Sequence, residues 1–144
     1  MIRNQNRLPR WVLLLLVLLP EFCLGQVWIN ELDSDSPGID NKEFVELRTP
    51  APFTSLNGYV LVFFNGNPTA SNTNQSYFAL SLNGHTTDAN GLLLIGCQSV
   101  SPVPDLVFSD NVIQNSEDGL AIYQGSLADC RSAHLQPRRT WSMR

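Results

Sequence analysis

Lysine is almost absent from this sequence, and its scarcity sets the electrostatic character of the chain. Lys42 is the only lysine, and eight arginines stand against thirteen aspartates and glutamates, which leaves a net charge of −4 at pH 7 over 144 residues. The corresponding isoelectric point is about 4.9. Nucleic-acid-binding domains usually carry a basic face and a high isoelectric point. The charge balance therefore argues against a nucleic-acid partner.

Long apolar runs are lacking as well. The longest is nine residues, 11–19, whereas a helix needs about 20 apolar residues to cross the hydrocarbon core of a bilayer. There is no heptad repeat, so the sequence does not predict a coiled coil. Charged residues make up 15% and hydrophobic residues 43% of the chain, which is the composition of a folded domain. One small globular domain is what these absences leave.

The first 25 residues have the pattern of a secretory signal peptide. Three arginines and no acid precede the apolar run at residues 11–19, and a proline and a glutamate follow it. Cys23 and Gly25 then lie at the −3 and −1 positions of a cleavage site before Gln26. Because this order is typical of signal peptides, we expect residues 1–25 to be removed. The mature chain is then secreted and extracellular, without a stable membrane span.

Secretion bears on the cysteines and on glycosylation. Cys23 leaves with the signal peptide, so Cys97 and Cys130 are the only cysteines of the mature chain. Two cysteines in an oxidising compartment can form a disulfide, and we expect a Cys97–Cys130 bridge, with two unpaired thiols as the alternative. Asn74 begins an Asn-Gln-Ser sequon in a polar stretch, which predicts a surface glycan on Asn74.

The mature chain reads as short strands separated by turns. Four Asn-Gly pairs and one Asp-Gly pair punctuate it, and these residues suit tight hairpin turns because they tolerate positive φ. A continuous apolar run at residues 59–64 predicts a strand buried on both faces. About seven strands in about 100 residues favour an immunoglobulin-like β-sandwich, with a small closed barrel as second choice. The predicted strands are residues 27–32, 44–48, 59–64, 77–80, 92–95, 106–108 and 120–123.

The character of the chain changes after residue 125. Residues 27–125 carry eleven carboxylates against Lys42 and Arg48, whereas residues 126–144 carry four arginines against Asp129. The second segment also has no β-type alternation. We therefore expect a domain at residues 26–125 and a basic, poorly ordered tail at residues 126–144.

Several segments together resemble the lamin-tail domain family in the form found in secreted proteins. They are the strand Ile29-Asn30-Glu31, the strand Glu43-Phe44-Val45-Glu46-Leu47 and the strand Gly58-Tyr59-Val60-Leu61-Val62-Phe63. The resemblance covers about residues 27–125. It implies an immunoglobulin-like sandwich that acts as a binding or structural module and has no catalytic constellation. Family sequences continue with further strands where this chain has residues 126–144, so a truncated product with little independent function is an alternative.

Six carboxylates fall between Glu31 and Glu46. Asp33, Asp35 and Asp40 superficially resemble a calcium loop, in which hard oxygen ligands surround the cation. A proline and Phe44 stand where such a loop places two further ligands, and a solvated acidic loop is the alternative. The sequence therefore names these three aspartates as the candidate calcium ligands and implies no other cofactor.

Catalytic motifs are lacking. His85 and Cys97 could form a thiol–imidazole pair, but no nucleophile elbow, zinc spacing or phosphate loop accompanies them. We therefore expect a secreted, non-enzymatic binding or structural module with an extracellular protein or glycan as partner. The alternative is a hydrolase in which Asp33 and Asp35 of the acidic loop act as acid and base.

Overall fold

A computed structural model describes residues 27–35 and 37–131. The predicted signal peptide and residues 132–144 of the predicted tail lie outside this part of the chain. Every predicted strand is present, with its ends within two residues of the predicted ones. The elements are β1 Trp28–Asp33, β2 Phe44–Arg48, β3 Tyr59–Asn65, β4 Ser76–Ser81, β5 Leu92–Cys97, β6 Leu106–Phe108, β7 Asp118–Gln124 and α1 Leu127–Arg131.

The strands form two sheets. One sheet has the order β1-β2-β5-β6 and the other the order β4-β3-β7. Neighbouring strands are antiparallel, except that β6 lies parallel to β5. The prediction of an all-β sandwich is confirmed, and the closed-barrel alternative is wrong because the described strands belong to two separate sheets. The immunoglobulin-like subtype stays a prediction.

The core lies between the two sheets because successive side chains of a strand point to opposite faces. Val45 and Leu47 of β2 are fully buried, and Phe44 and Arg48 lie on the other side of the strand, as the alternation predicts. The ring of Phe63 lies 5.5 Å from that of Phe78 and 6.5 Å from that of Phe108. These tilted and edge-on contacts are favourable for aromatic rings, and the contact between Phe63 and Phe108 joins the two sheets.

Strand β3 is buried on both faces, as its apolar run predicts. Leu61 and Phe63 belong to the core between the sheets. Val60 and Val62 lie on the opposite face, where Cys130 of α1 packs against them. The helix therefore covers the outer face of the three-stranded sheet.

The predicted tail begins inside the fold. We expected poor order from residue 126 onward, yet α1 starts at Leu127 and Cys130 is 4% exposed. The Ser126 N–H and the Ser126 hydroxyl both donate to Asp129 Oδ2, at 3.0 and 2.7 Å. A serine followed three residues later by an acidic residue is a capping pattern that starts helices. Residues 127–131 thus form a helix that packs on the sandwich, and the domain boundary at residue 125 stays a prediction.

The predicted Cys97–Cys130 disulfide is absent from the structure, in which both cysteines are buried free thiols. Cys97 belongs to the core between the sheets, whereas Cys130 packs on the outer face of β3. The three-stranded sheet therefore separates the two thiols. A disulfide requires Cα atoms within about 7 Å and side chains directed at each other. The structure therefore has the two thiols unpaired, which is the alternative named above, and the disulfide itself stays a prediction.

The Asn-Gly pairs at residues 57–58 and 83–84 do not form the primed hairpin turns that the sequence predicts. Gly58 and Gly84 have φ values of +80° and +84°, but the asparagine before each does not have positive φ. A primed two-residue hairpin turn needs positive φ at both central residues. The Asn57 side chain instead accepts from the Gly84 N–H, and that of Asn83 accepts from the Gly58 N–H, both at 2.7 Å. This reciprocal clasp ties the start of β3 to the end of β4.

Candidate functional site

A groove crosses the outer face of the four-stranded sheet. Its floor is formed by side chains of β2 and β5 that point away from the core: Phe44 on one strand, Leu92 and Leu94 on the other. Gly96 lies opposite Phe44, and a Cβ atom at this glycine would come within 2.9 Å of Phe44 Cβ. The missing side chain therefore leaves room for Phe44 in the floor.

The segment between β5 and β6 forms one wall of the groove. Val100, Pro102 and Val103 line it, and the cavity has a volume of about 420 Å³. The wall is tied to the sheet because Asp105 Oδ2 accepts from the Leu94 N–H at 3.1 Å. Cavities of 300–1,000 Å³ with an apolar lining and a few polar groups are typical ligand sites.

Four carboxylates surround the apolar floor, and the lining residues within 27–35 and 37–131 include no lysine, arginine or histidine. Glu31 of β1 lies directly opposite Glu46 of β2, and like charges placed opposite each other destabilise a sheet. The Asn30 side-chain amide donates to Glu46 Oε1 at 2.6 Å and offsets part of this repulsion. The remaining two carboxylates belong to Asp88 and Asp105.

Asp88 stays anionic at the rim of the groove. Its Oδ1 accepts from the N–H groups of Leu92 and Asn90, each at 2.8 Å. These backbone hydrogen bonds lower the pKa of the Asp88 carboxyl, and the bond from Leu92 has the largest effect. The groove therefore keeps this negative charge well into the acidic pH range.

A second polar feature, Glu43, lies inside the molecule. This side chain is 0% exposed, and its Oε2 accepts from the N–H groups of Val112 and Ile113 at 3.0 and 3.3 Å. Its Oε1 is buried without a hydrogen-bond partner among the described residues. Burial raises the pKa of the Glu43 carboxyl. Glu43 thus holds the segment that joins β6 to β7, and sequence reasoning placed it only among the solvated acids.

Cys97 lies beside this carboxylate, in surroundings that do not activate a thiol as a nucleophile. Its Sγ lies 3.9 Å from Glu43 Oε2 and 3.9 Å from the Ser109 carbonyl oxygen. Burial raises the pKa of the Cys97 thiol to about 11, whereas reactive thiols have a lowered pKa. The thiol thus contacts Glu43 and Ser109, and the Cys97–His85 pair considered above is not among its hydrogen bonds.

Tyr77 reinforces the same region. Its hydroxyl oxygen accepts from the Gln114 N–H at 3.3 Å, and burial raises its pKa well above the usual range. Together, Glu43 and Tyr77 bind three consecutive N–H groups of residues 112–114. The connection between β6 and β7 is therefore fixed to the sandwich by side chains.

The structure does not assemble the three aspartates named as calcium ligands. Asp33 Oδ1 accepts from the Asp35 N–H at 3.3 Å, and Asp40 Oδ2 accepts from the Asn115 amide at 2.7 Å. Among the described residues, no group of three or more His, Cys, Asp or Glu side chains is arranged to hold a metal ion. Calcium binding stays a prediction.

Asn74 lies on the surface. It is exposed in the connection between β3 and β4, with φ of +62°, and its N–H donates to the Asn65 carbonyl at 2.7 Å. The acceptor side chain is thus accessible to a glycosyltransferase, and glycosylation at Asn74 stays a prediction.

No family model, no curated protein and no solved structure matches this sequence. The resemblance to lamin-tail domains therefore stays a prediction. No helix within residues 27–35 and 37–131 has the length and apolar character needed to cross a membrane.

Proposed function

We propose that this chain is a secreted, non-enzymatic binding module of the lamin-tail type with an immunoglobulin-like sandwich. The observation that carries the proposal is the groove of about 420 Å³ on the four-stranded sheet, with its apolar floor and acidic rim. Its floor is formed by paired strands and its wall is tied to β5. A groove formed in this way needs little reorganisation to receive a ligand, which lowers the cost of binding.

Site-specific photo-crosslinking tests the proposed binding surface. A photo-crosslinking amino acid replaces Val103, which lines the groove and is 70% exposed. Ile39, 72% exposed and outside the groove lining, is the matched control position. We expect the mature protein, incubated with intact cells and their medium, to form a discrete adduct from position 103 only. Equal labelling from both positions, or none from position 103, would contradict the proposal.

The extracellular location has its own test. We expect the chain expressed in animal cells to appear in the medium with its N-terminus at Gln26 and with a glycan on Asn74, because of the signal pattern and the exposed sequon. N-terminal sequencing and a mobility shift on glycosidase treatment measure both. Asn74→Gln should abolish the shift, and retention inside the cell with Met1 in place would overturn the assignment.

A further inference from the structure

We propose that the occupant of the groove is an extended cationic peptide segment of another protein, in which an arginine stands beside apolar residues. This inference rests on the proposed function and specifies the ligand class of the same surface. Its basis is the combination of a rim of four carboxylates, with no cation among the described lining residues, and a floor of apolar side chains. Arg48, which pairs with Leu92 at the end of β2, lies outside this lining.

The charge of the rim favours a basic ligand. Glu31 and Glu46 lie directly opposite each other across β1 and β2, and one guanidinium placed between them would replace their repulsion with two attractive contacts. Arginine suits this position because its planar fork binds carboxylates through two parallel hydrogen bonds. Asp105 and the anionic Asp88 extend the same sign of charge along the groove.

The floor of the groove accommodates the apolar parts of the proposed peptide. Phe44 and Leu94 offer apolar surface to the aliphatic stem of an arginine and to its apolar neighbours. Val103, 70% exposed on the wall, gives a further contact on the opposite side. A neutral glycan would leave the four carboxylates uncompensated, and a sulfated or sialylated glycan would be repelled by them. The peptide is therefore the occupant that the groove favours over a glycan.

A binding measurement with defined peptides tests the proposal. The probe is a fluorescein-labelled octapeptide of alternating arginine and leucine, titrated with the mature protein and followed by fluorescence anisotropy. We expect saturable binding that weakens as NaCl rises from 50 to 500 mM, since salt screens exposed charges. Replacing the arginines with glutamine should abolish the binding.

Variants of the rim locate the binding site. Glu46→Gln should weaken the affinity about tenfold and the double variant Glu31→Gln/Glu46→Gln about a hundredfold, the loss expected for charge-assisted hydrogen bonds. Glu117→Gln is the matched control, because it makes the same change in net charge at an exposed position outside the groove lining. It should leave the affinity within about twofold of the wild type. Circular dichroism verifies that each variant is folded.

Three results would overturn this inference. The glutamine peptide could bind as tightly as the arginine peptide, which would make charge irrelevant. Glu117→Gln could weaken binding as much as Glu46→Gln, which would show diffuse attraction to an acidic surface. A heparin-derived or neutral oligosaccharide could bind at the groove in place of the peptide. An adduct from position 103 without binding of the arginine peptide would overturn the ligand class and leave the proposed binding surface standing.

Discussion

Glu43 shows how burial alters the behaviour of one carboxyl group. Its pKa is raised because burial disfavours the charged form, so the folded state binds the proton more tightly than the unfolded state does. The contribution of this group to stability is complete below about pH 4.3, the usual pKa of a free glutamate. It is lost as pH rises through the raised pKa of the folded state.

Glu43→Gln should remove this pH dependence. The amide oxygen can still accept from Val112 and Ile113, whereas no charge forms at high pH. We expect the free energy of unfolding of the variant, relative to the wild type, to rise between pH 4 and pH 7. Urea denaturation at each pH measures the difference, and parallel curves would contradict the argument.

Glu43→Leu, unlike Glu43→Gln, should lower the free energy of unfolding at pH 7. Leucine removes both acceptor oxygens and leaves the N–H groups of Val112 and Ile113 without their partner. An unsatisfied buried donor costs about 1–3 kcal/mol, so we expect this variant to be at least about 2 kcal/mol less stable than Glu43→Gln at pH 7. Equal stability of the two variants would show that the carboxylate does not hold this segment.

The two thiols should remain reduced and unreactive in the folded protein. Cys97 has a pKa of about 11, so only about 0.1% of it is thiolate at pH 8, and burial also raises the pKa of Cys130. We expect iodoacetamide to modify both cysteines in urea and neither in buffer alone. Intact mass spectrometry counts the modified groups. A native mass lower by two hydrogens, with no alkylation in urea, would restore the disulfide.

Helix α1 illustrates what one short element contributes. It covers Val60 and Val62 through Cys130, with Leu127 packed beside them. Ending the chain after Gly125 exposes this face, and we expect a loss of about 2–4 kcal/mol, given the apolar area uncovered. Self-association should increase as well, because exposed apolar patches promote it. A chain that ends after Arg131 is the matched control for urea denaturation and for sedimentation velocity, and equal behaviour of the two shortened chains would contradict the role of α1.

The clasp between Asn57 and Asn83 is a pair of coupled hydrogen bonds. Each side chain binds the glycine N–H that follows the other asparagine. We expect Asn57→Ala and Asn83→Ala each to lower the free energy of unfolding by about 0.5–1.5 kcal/mol. The double variant should lose less than the sum, since the first change already loosens both turns. An additive double variant would show that the two bonds act independently.

The strands could be predicted because their sequence signal is local. The groove and the buried position of Glu43 could not, because the residues that form them are distant in sequence. The alternation in residues 44–48 identifies β2, and the apolar run at 59–64 identifies a strand buried on both faces. By contrast, the burial of Glu43 depends on N–H groups 69 and 70 residues away. The groove likewise joins β1, β2 and β5 to the segment before β6. Helix α1 did carry a local signal, the serine-to-aspartate capping pattern at residues 126–129, which the basic composition of that segment obscured.

The distribution of charge over the whole molecule acts on its stability. Between residues 27 and 125, eleven carboxylates are balanced only by Lys42 and Arg48. An excess of one sign destabilises a compact state through self-repulsion, while the arrangement of two packed sheets leaves most of these groups on the outside. The same excess that weakens the fold at low salt provides the acidic rim of the groove.

Salt should therefore stabilise the protein, and calcium provides the discriminating comparison. The Debye length falls from about 30 Å at 0.01 M to about 3 Å at 1 M ionic strength, so we expect Tm to rise steadily as NaCl is added at pH 7. Asp33, Asp35 and Asp40 do not converge in the structure, so the predicted calcium binding requires the acidic loop to rearrange. Without that rearrangement, calcium chloride at equal ionic strength should raise Tm no more than NaCl does. Differential scanning calorimetry measures both series, with magnesium chloride as the control for divalent charge. A ligand that binds only the folded state raises Tm. A calcium-specific rise in Tm that saturates at micromolar to millimolar concentration would therefore show that the acidic loop binds the ion.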